Sequence, residues 1–441
     1  MRTGDDTPEL GHVRALYARG SLQEALQACQ ALLACGEASA QAFAAAGMLS
    51  LKLGDAQMAE AYYRQAVGKD ARFAEAHFNL GNVLTQLGRA RDAVDAFRRT
   101  LELRPGFAAA HNNLAGALSR LDEHEEADAC YRRALALSPR AAHVHRNWGT
   151  ALRARGQLDS ALECFARAAA LEPSWPKALQ SLATAAMELG RWTVARQSCE
   201  RWLAQAPGNV EALGLWSIAL DELGERATAD ELLDTSLMTQ RELREAPGGG
   251  SLREFNAALG RAAHEDPSLR VPEANDARYH CPTLFISGEV RDAPGDVGAR
   301  LQSWVSAQVE EYVRALREQV SSHPFTRAAP ERWELKSWFA VLAREGQLEP
   351  HVHYDSYVSA VYYVHVPRSM QGGAHAGSFE LSGGPSRFPC RHRRAPFTVK
   401  PREGLLLLFP SYFYHRTLPF HAAQPRISVA FDAVPLGSKA Q

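Results

Sequence analysis

Two periodicities divide the chain. Up to about residue 240, apolar positions recur every three or four residues in paired runs such as AEAHFNLGNVLTQLG, the spacing of amphipathic helices. The pairs repeat with a step of 34. Gly20, Gly54, Gly88, Asp122, Gly156, Gly190 and Gly224 share one register, and Ala25, Ala59, Ala93, Ala127, Ala161, Ala195 and Ala229 a second. Pro105, Pro139, Pro173 and Pro207 keep the same phase. From about residue 332 the period falls to two, in LKSWFAVL, SAVYYVHV, GSFEL, PFTVK, GLLLLF and RISVAFDAV, which predicts short strands. Between these regions, Leu301, Val305, Val309, Val313 and Leu316 predict an amphipathic helix within 294–320. EAPGGGS at 245–251 has the composition of a linker.

Each register has a physical reason. The glycine closes a first helix in the left-handed conformation that glycine adopts cheaply. The alanine five residues later lets a second helix approach the first, and the proline ends that second helix. Such a helix–turn–helix cannot bury its own apolar face, so neighbours must stack. The pattern resembles the tetratricopeptide repeat, in seven copies over residues 8–240, with Asp122 departing from the glycine rule and so predicting an altered turn. The resemblance implies a solenoid whose concave groove takes a protein or peptide. Asn79, Asn82, Asn112, Asn113 and Asn147 fall on first helices, where they either hydrogen-bond a peptide backbone or are simply solvated.

Composition narrows the class. The 49 basic and 50 acidic residues leave a net charge of −1. That balance excludes a broadly basic nucleic-acid binder and an acidic disordered tail. No run approaches the ~18 apolar residues of a membrane span, and the polar start MRTGDDTPEL lacks a secretory h-region. Seven cysteines without a CxxC argue against a disulfide framework and for a reducing cytoplasm.

The chemistry concentrates in the strand-rich region. His351, His353 and Asp355 stand close together in LEPHVHYDS, and His415 lies sixty residues after Asp355. On a strand, His353 and Asp355 share a face. Two imidazoles and a carboxylate suit Fe(II) and leave open positions for a chelating cosubstrate and O₂. His351 shares that face too and is an alternative ligand. Arg426 and Ser428, on one face of RISVAF, offer a fork and a hydroxyl for a carboxylate. His353-Tyr354-Asp355, His415 and Arg426 together resemble the motif of Fe(II)- and 2-oxoglutarate-dependent oxygenases, over roughly residues 332–434. The wider run also resembles a bacterial and phage subgroup that often reads H-x-H-P before S-G-V-Y-Y, where this chain has Tyr354 and Ala360. The resemblance implies a double-stranded β-helix and assigns His353, Asp355 and His415 as catalytic iron ligands. It assigns Arg426, Ser428 and Tyr363 to 2-oxoglutarate, and admits ascorbate as a reductant. His365, His375 and His421 read as structural or loop residues. The basic run RFPCRHRR (387–394) reads as a solvated face, or as a device steering an acidic substrate.

The expected architecture is therefore α+β and multidomain. An all-α tetratricopeptide solenoid (8–240) and a linker (241–251) precede a jelly-roll oxygenase domain with a helical preface (252–441). The expected function is a dioxygenase hydroxylating a protein or peptide held by the repeats. A non-enzymatic scaffold with a vestigial jelly roll, and a small-molecule oxygenase that uses the repeats for assembly, are the alternatives. The second region lacks the β/α alternation and glycine-rich loop of a nucleotide-sugar transferase.

Overall fold

The computed structural model describes residues 10–34, 39–272, 284–293, 295–318, 323–343, 345–370, 372–381, 384–392 and 394–436. Residues 8 and 9, Cys35, Cys281 and positions 437–441 lie outside them. The chain divides into two compact units, Met1–Glu172 and Pro173–Gln441.

In the first unit, helices follow one another in pairs, among them Ala40–Lys52 with Ala56–Lys69, and Ala74–Gln86 with Ala90–Leu103. The alanine register is buried throughout, because these are the contact points of the paired helices. A second small-residue position works with it: a Cβ placed on Gly81 would lie 2.6 Å from Cε1 of Phe97. Asp122 takes the same left-handed backbone as the glycines, with φ of 60°. The turn is thus preserved, since a short polar side chain tolerates this region better than a branched one.

The second unit opens with helices Pro176–Glu188, Trp192–Gln205, Val210–Leu223 and the short Arg226–Leu232. Among the described residues ten strands follow: β1 (Thr239–Glu242), β2 (Leu284–Glu289), β3 (Trp333–Leu342), β4 (Glu345–His351), β5 (Val358–His365), β6 (Phe379–Leu381), β7 (Phe397–Val399), β8 (Leu405–Pro410), β9 (His415–His421) and β10 (Arg426–Pro435). They form a six-stranded sheet, β1-β8-β5-β10-β3-β2, and a four-stranded one, β4-β9-β6-β7, with antiparallel pairing throughout. The expected helix is present as Val297–Glu318, burying Leu301, Val305, Val309, Val313 and Leu316.

Edge strands β1 and β2 carry no clear alternation in sequence, yet β1 pairs with β8 across Thr239–Leu408 to Glu242–Leu405. The glycine-rich stretch forms a hydrogen-bonded turn. Ala246 N–H donates to Gly250 O at 3.1 Å, and Arg300 Nε donates to Pro247 O at 2.7 Å. The basic loop is tied to a helix, while Arg387, Arg391 and His392 stay exposed as a solvated face would have them. Arg394 makes two hydrogen bonds to Asp221 (2.6 and 2.7 Å), while the Arg391 and His392 N–H groups each donate to Glu222 Oε1 at 2.8 Å. Both carboxylates belong to helix Val210–Leu223. That helix also meets the turn between β8 and β9 through Gly214, where a Cβ would fall 3.1 Å from Tyr412 O.

Candidate functional site

Strand β4 ends at His351, which pairs directly with His415 at the start of β9. The pairing slips by one residue between Leu348–Thr417 and His351–His415, a bulge of the kind that re-aims side chains beside functional sites. His353 follows two residues on. The three imidazoles are 7, 5 and 8% exposed, and one nitrogen from each lies within 4.8 Å of the others. Ring centroids are 4.3 Å apart for His351–His415 and 5.3 Å for the other two pairs.

The outer nitrogens are fixed. His351 Nδ1–H donates to Glu349 O at 2.8 Å, and His415 Nδ1–H to Phe413 O at 2.9 Å. Carbonyl oxygens only accept, so both rings carry a hydrogen on Nδ1. His353 Nδ1–H donates to the carboxylate of Asp432, 2.8 Å from each oxygen. His353 Nε2 is buried with no hydrogen-bond partner. Trp338 stacks on His353, and Phe379 on His415. Burial, then the two neighbouring imidazoles, holds His415 well below the ordinary histidine range, so it is neutral. Three imidazoles whose nitrogens converge form a metal-binding donor set, and imidazole suits iron, zinc, copper and nickel.

Asp355 stands apart from this cluster. It is exposed, in a turn beyond β4. The same-face expectation for residues 353 and 355 needs a continuing strand, and β4 stops at His351. His351 occupies the place beside His353 and His415 instead.

Arg426 opens β10 and is 3% exposed. Its guanidinium donates to Gly377 O (2.8 Å) and Thr417 Oγ1 (3.0 Å), and lies over the rings of Tyr363 and Phe420. Nε has no partner. Burial depresses the Arg426 pKa, with Tyr363 opposing, and among the described residues no carboxylate pairs with it. Tyr363 is buried and sits opposite Ser428 in the β5–β10 pairing. Ser428 Oγ makes a long contact of 3.4 Å to Ala340 O. His365 is held by Glu403 and Gln424 at the surface, and His375 contacts Thr398.

Two residues of the site went unread in the sequence, Thr417 and Asp432. Alternation held the signal for both. Thr417 is two residues after His415, and Asp432 four after Ser428, so each shares its neighbour's strand face. A further polar group lies along the first unit's helices. Asn113 Nδ2 donates to Asn82 Oδ1, Asn112 Nδ2 to Asn113 Oδ1, and Asn147 Nδ2 to Asn112 Oδ1, over 2.7–3.2 Å. They line a cavity of about 500 Å³ with Tyr131 and Arg146.

Residues 336–432 match the family model described as "Putative 2OG-Fe(II) oxygenase". Residues 44–106, 82–142 and 146–210 match a tetratricopeptide-repeat model. That oxygenase family implies Fe(II) and 2-oxoglutarate. No curated protein matches the chain. Solved structures similar to it include PilW, described as a widely conserved type IV pilus biogenesis factor, at 23% identity over 44% of this chain and 90% of that one, TM-score 0.39. Pseudomonas aeruginosa PilF is 23% identical over 44% and 88%, TM-score 0.39. YrrB, described as a TPR protein with an unusual peptide-binding site, is 21% identical over 40% and 91%, TM-score 0.36. Among the described residues no helix is long and apolar enough to cross a membrane.

Proposed function

We propose that this protein is an Fe(II)- and 2-oxoglutarate-dependent dioxygenase that hydroxylates a protein or peptide taken up by its repeats. In this reading His351, His353 and His415 hold the metal, and Arg426 holds the far carboxylate of 2-oxoglutarate. The observation that carries it is the buried guanidinium of Arg426, with an unpartnered Nε and, among the described residues, no carboxylate of its own. A buried cation of this kind is costly unless an anion joins it.

The spacing supports the same ligand. Thr417, which accepts from Arg426, lies two residues from His415 on one face of β9. Strand geometry puts those positions roughly 7 Å apart, a gap that a five-carbon dicarboxylate spans. When bound, Fe(II) with 2-oxoglutarate and O₂ supplies the oxidising power for hydroxylating a C–H bond. The chain's part is to orient and to exclude water. Arg426 and Thr417 fix one end of the cosubstrate, Tyr363 walls it, and Trp338, Phe379 and Phe409 shield the imidazoles.

The row of linked asparagine amides supports a peptide as substrate, because amides match backbone donors and acceptors. A peptide docked on the same chain as the site gains effective concentration there. The test uses full-length protein with Fe(II) and 2-oxoglutarate. It should release succinate slowly alone, and should add one oxygen to a peptide in cell extract, read by mass spectrometry. Asn113→Ala with Asn147→Ala should keep the first and lose at least most of the second. Equal peptide product from that variant removes the groove from the reading; absence of succinate release by the loaded wild type removes the catalysis.

A further inference from the structure

A metal held by three neutral imidazoles keeps its full double charge in a buried site, whereas a carboxylate ligand would cancel part of it. Asp432 presents the opposite problem. It is a buried carboxylate on β10 whose ion-pair partner, among the described residues, is His353, not a lysine or arginine. Both of its oxygens lie 2.8 Å from His353 Nδ1, and the Ser359 hydroxyl donates to Oδ1. A buried carboxylate whose ion-pair partner is a single imidazole leaves charge that a metal on the far side of that ring can balance. The cationic site and the anion are therefore complementary, and one ring joins them: Nδ1 of His353 meets Asp432 and Nε2 is unpartnered.

We propose that Asp432 is the positioning residue and charge partner of the metal centre, supplying through His353 the negative charge that no ligand of the three-imidazole set provides. The proposal rests on that ligand set and deepens it.

The surroundings fit a fixed carboxylate. Ser359 Oγ donates to Asp432 Oδ1 at 2.8 Å and lies 2.9 Å from Ser411 Oγ. Ser359 is directly opposite Asp432 in the β5–β10 pairing, so both side chains share one sheet face. Trp338 stacks on His353 with an interplanar angle of 23°. Ring, carboxylate and hydroxyl thus come from different segments, each with little room to swing. His351 and His415 differ in having backbone carbonyls at Nδ1. Those groups set the tautomer but bring no charge. His353 has an ionic partner at Nδ1, which makes its Nε2 a stronger donor. Outer partners of this type change metal affinity about 10–100-fold when removed.

The experiment is Co(II) titration of the full-length protein without 2-oxoglutarate, followed by calorimetry and by the visible ligand-field bands. Wild type should bind one Co(II). Asp432→Asn keeps the shape and an oxygen able to accept from Nδ1, and loses the charge. It should bind about 10–100-fold more weakly, with shifted bands, while its metal-free melting temperature stays near wild type. Asp432→Ala, which also frees the ring to turn, should bind more weakly still. Co(II) affinity and bands in Asp432→Asn equal to wild type would overturn the proposal. If Asp432→Asn fails to fold, Ser359→Ala carries the test. It leaves the carboxylate but removes a donor to Oδ1, and should weaken Co(II) binding several-fold; unchanged binding there overturns the proposal. Wild type that binds no Co(II), with the His351→Ala and His415→Ala variants indistinguishable from it, would instead overturn the three-imidazole site itself.

Discussion

Replacing Arg426 with alanine should lower cosubstrate affinity sharply while leaving the stability of the cosubstrate-free protein nearly unchanged. In the protein without cosubstrate the guanidinium is a buried charge with two hydrogen bonds to neutral acceptors and an unpartnered Nε. Its removal relieves an uncompensated charge but strands Gly377 O and Thr417 Oγ1, each worth about 1–3 kcal/mol if left unsatisfied. These terms offset, so the melting temperature should change little. With 2-oxoglutarate the balance differs. Truncating one partner of a buried, hydrogen-bonded charge pair costs about 2–5 kcal/mol, which corresponds to a Kd raised roughly 30- to 4,000-fold. Arg426→Lys should recover part of this, since it restores charge but not the planar fork. The assay is anaerobic calorimetric titration of 2-oxoglutarate into metal-loaded protein, paired with thermal melts. Saturating ligand at a hundred times Kd should add about 2.7 kcal/mol to the wild type and much less to the alanine variant at the same concentration. An unchanged Kd in Arg426→Ala would refute the reasoning, because no other buried cation lines this part of the sheet among the described residues.

Other outcomes follow from the same geometry. His351→Ala should weaken metal binding sharply while Asp355→Ala leaves it within about twofold, measured by metal titration; the reverse order would place the carboxylate in the coordination sphere. Gly81→Ala should destabilise the protein by about 1 kcal/mol, because the added methyl meets the buried ring of Phe97 and overpacking outweighs the gain in helix propensity. Gly68→Ala, with nothing near its added methyl, should stabilise by about 0.5–1 kcal/mol. Urea melts of the two variants shifting in the same direction would contradict this.

The repeats and the main strands were legible because their signals are local. A glycine that must adopt positive φ and an alanine at a helix contact are dictated within one repeat, and the same demand returns every 34 residues. Asp122 fits that demand with a different side chain, so the geometry was kept where the residue changed. Strands β5, β8 and β10 bury at least one face along most of their length, β3 does so over its second half, and their apolar patterns are strong. Strands β1 and β2 are edges: Thr239–Glu242 is largely exposed, so nothing in its composition announces pairing. The site was harder for a different reason. Face-sharing between residues 353 and 355 follows from a strand, and where a strand stops is decided by its partner. Here β9 begins at His415 and β4 ends opposite it, which brings His351 inward and leaves Asp355 in the turn. The basic loop RFPCRHRR illustrates the same limit, since its partners Asp221 and Glu222 are more than 160 positions earlier.

Helix Val210–Leu223 holds a further consequence, for anyone who recombines this gene. By sequence it is the first half of a seventh repeat, but its Asp221, Glu222 and Gly214 are committed to the loop and strands that follow. A graft that exchanged the array at the end of the repeat pattern would strip the sheet of a side wall and leave Arg394 without its carboxylates. The exchangeable cassette is therefore shorter than the repeat count suggests, and a viable splice belongs at Pro173, where one compact unit gives way to the next.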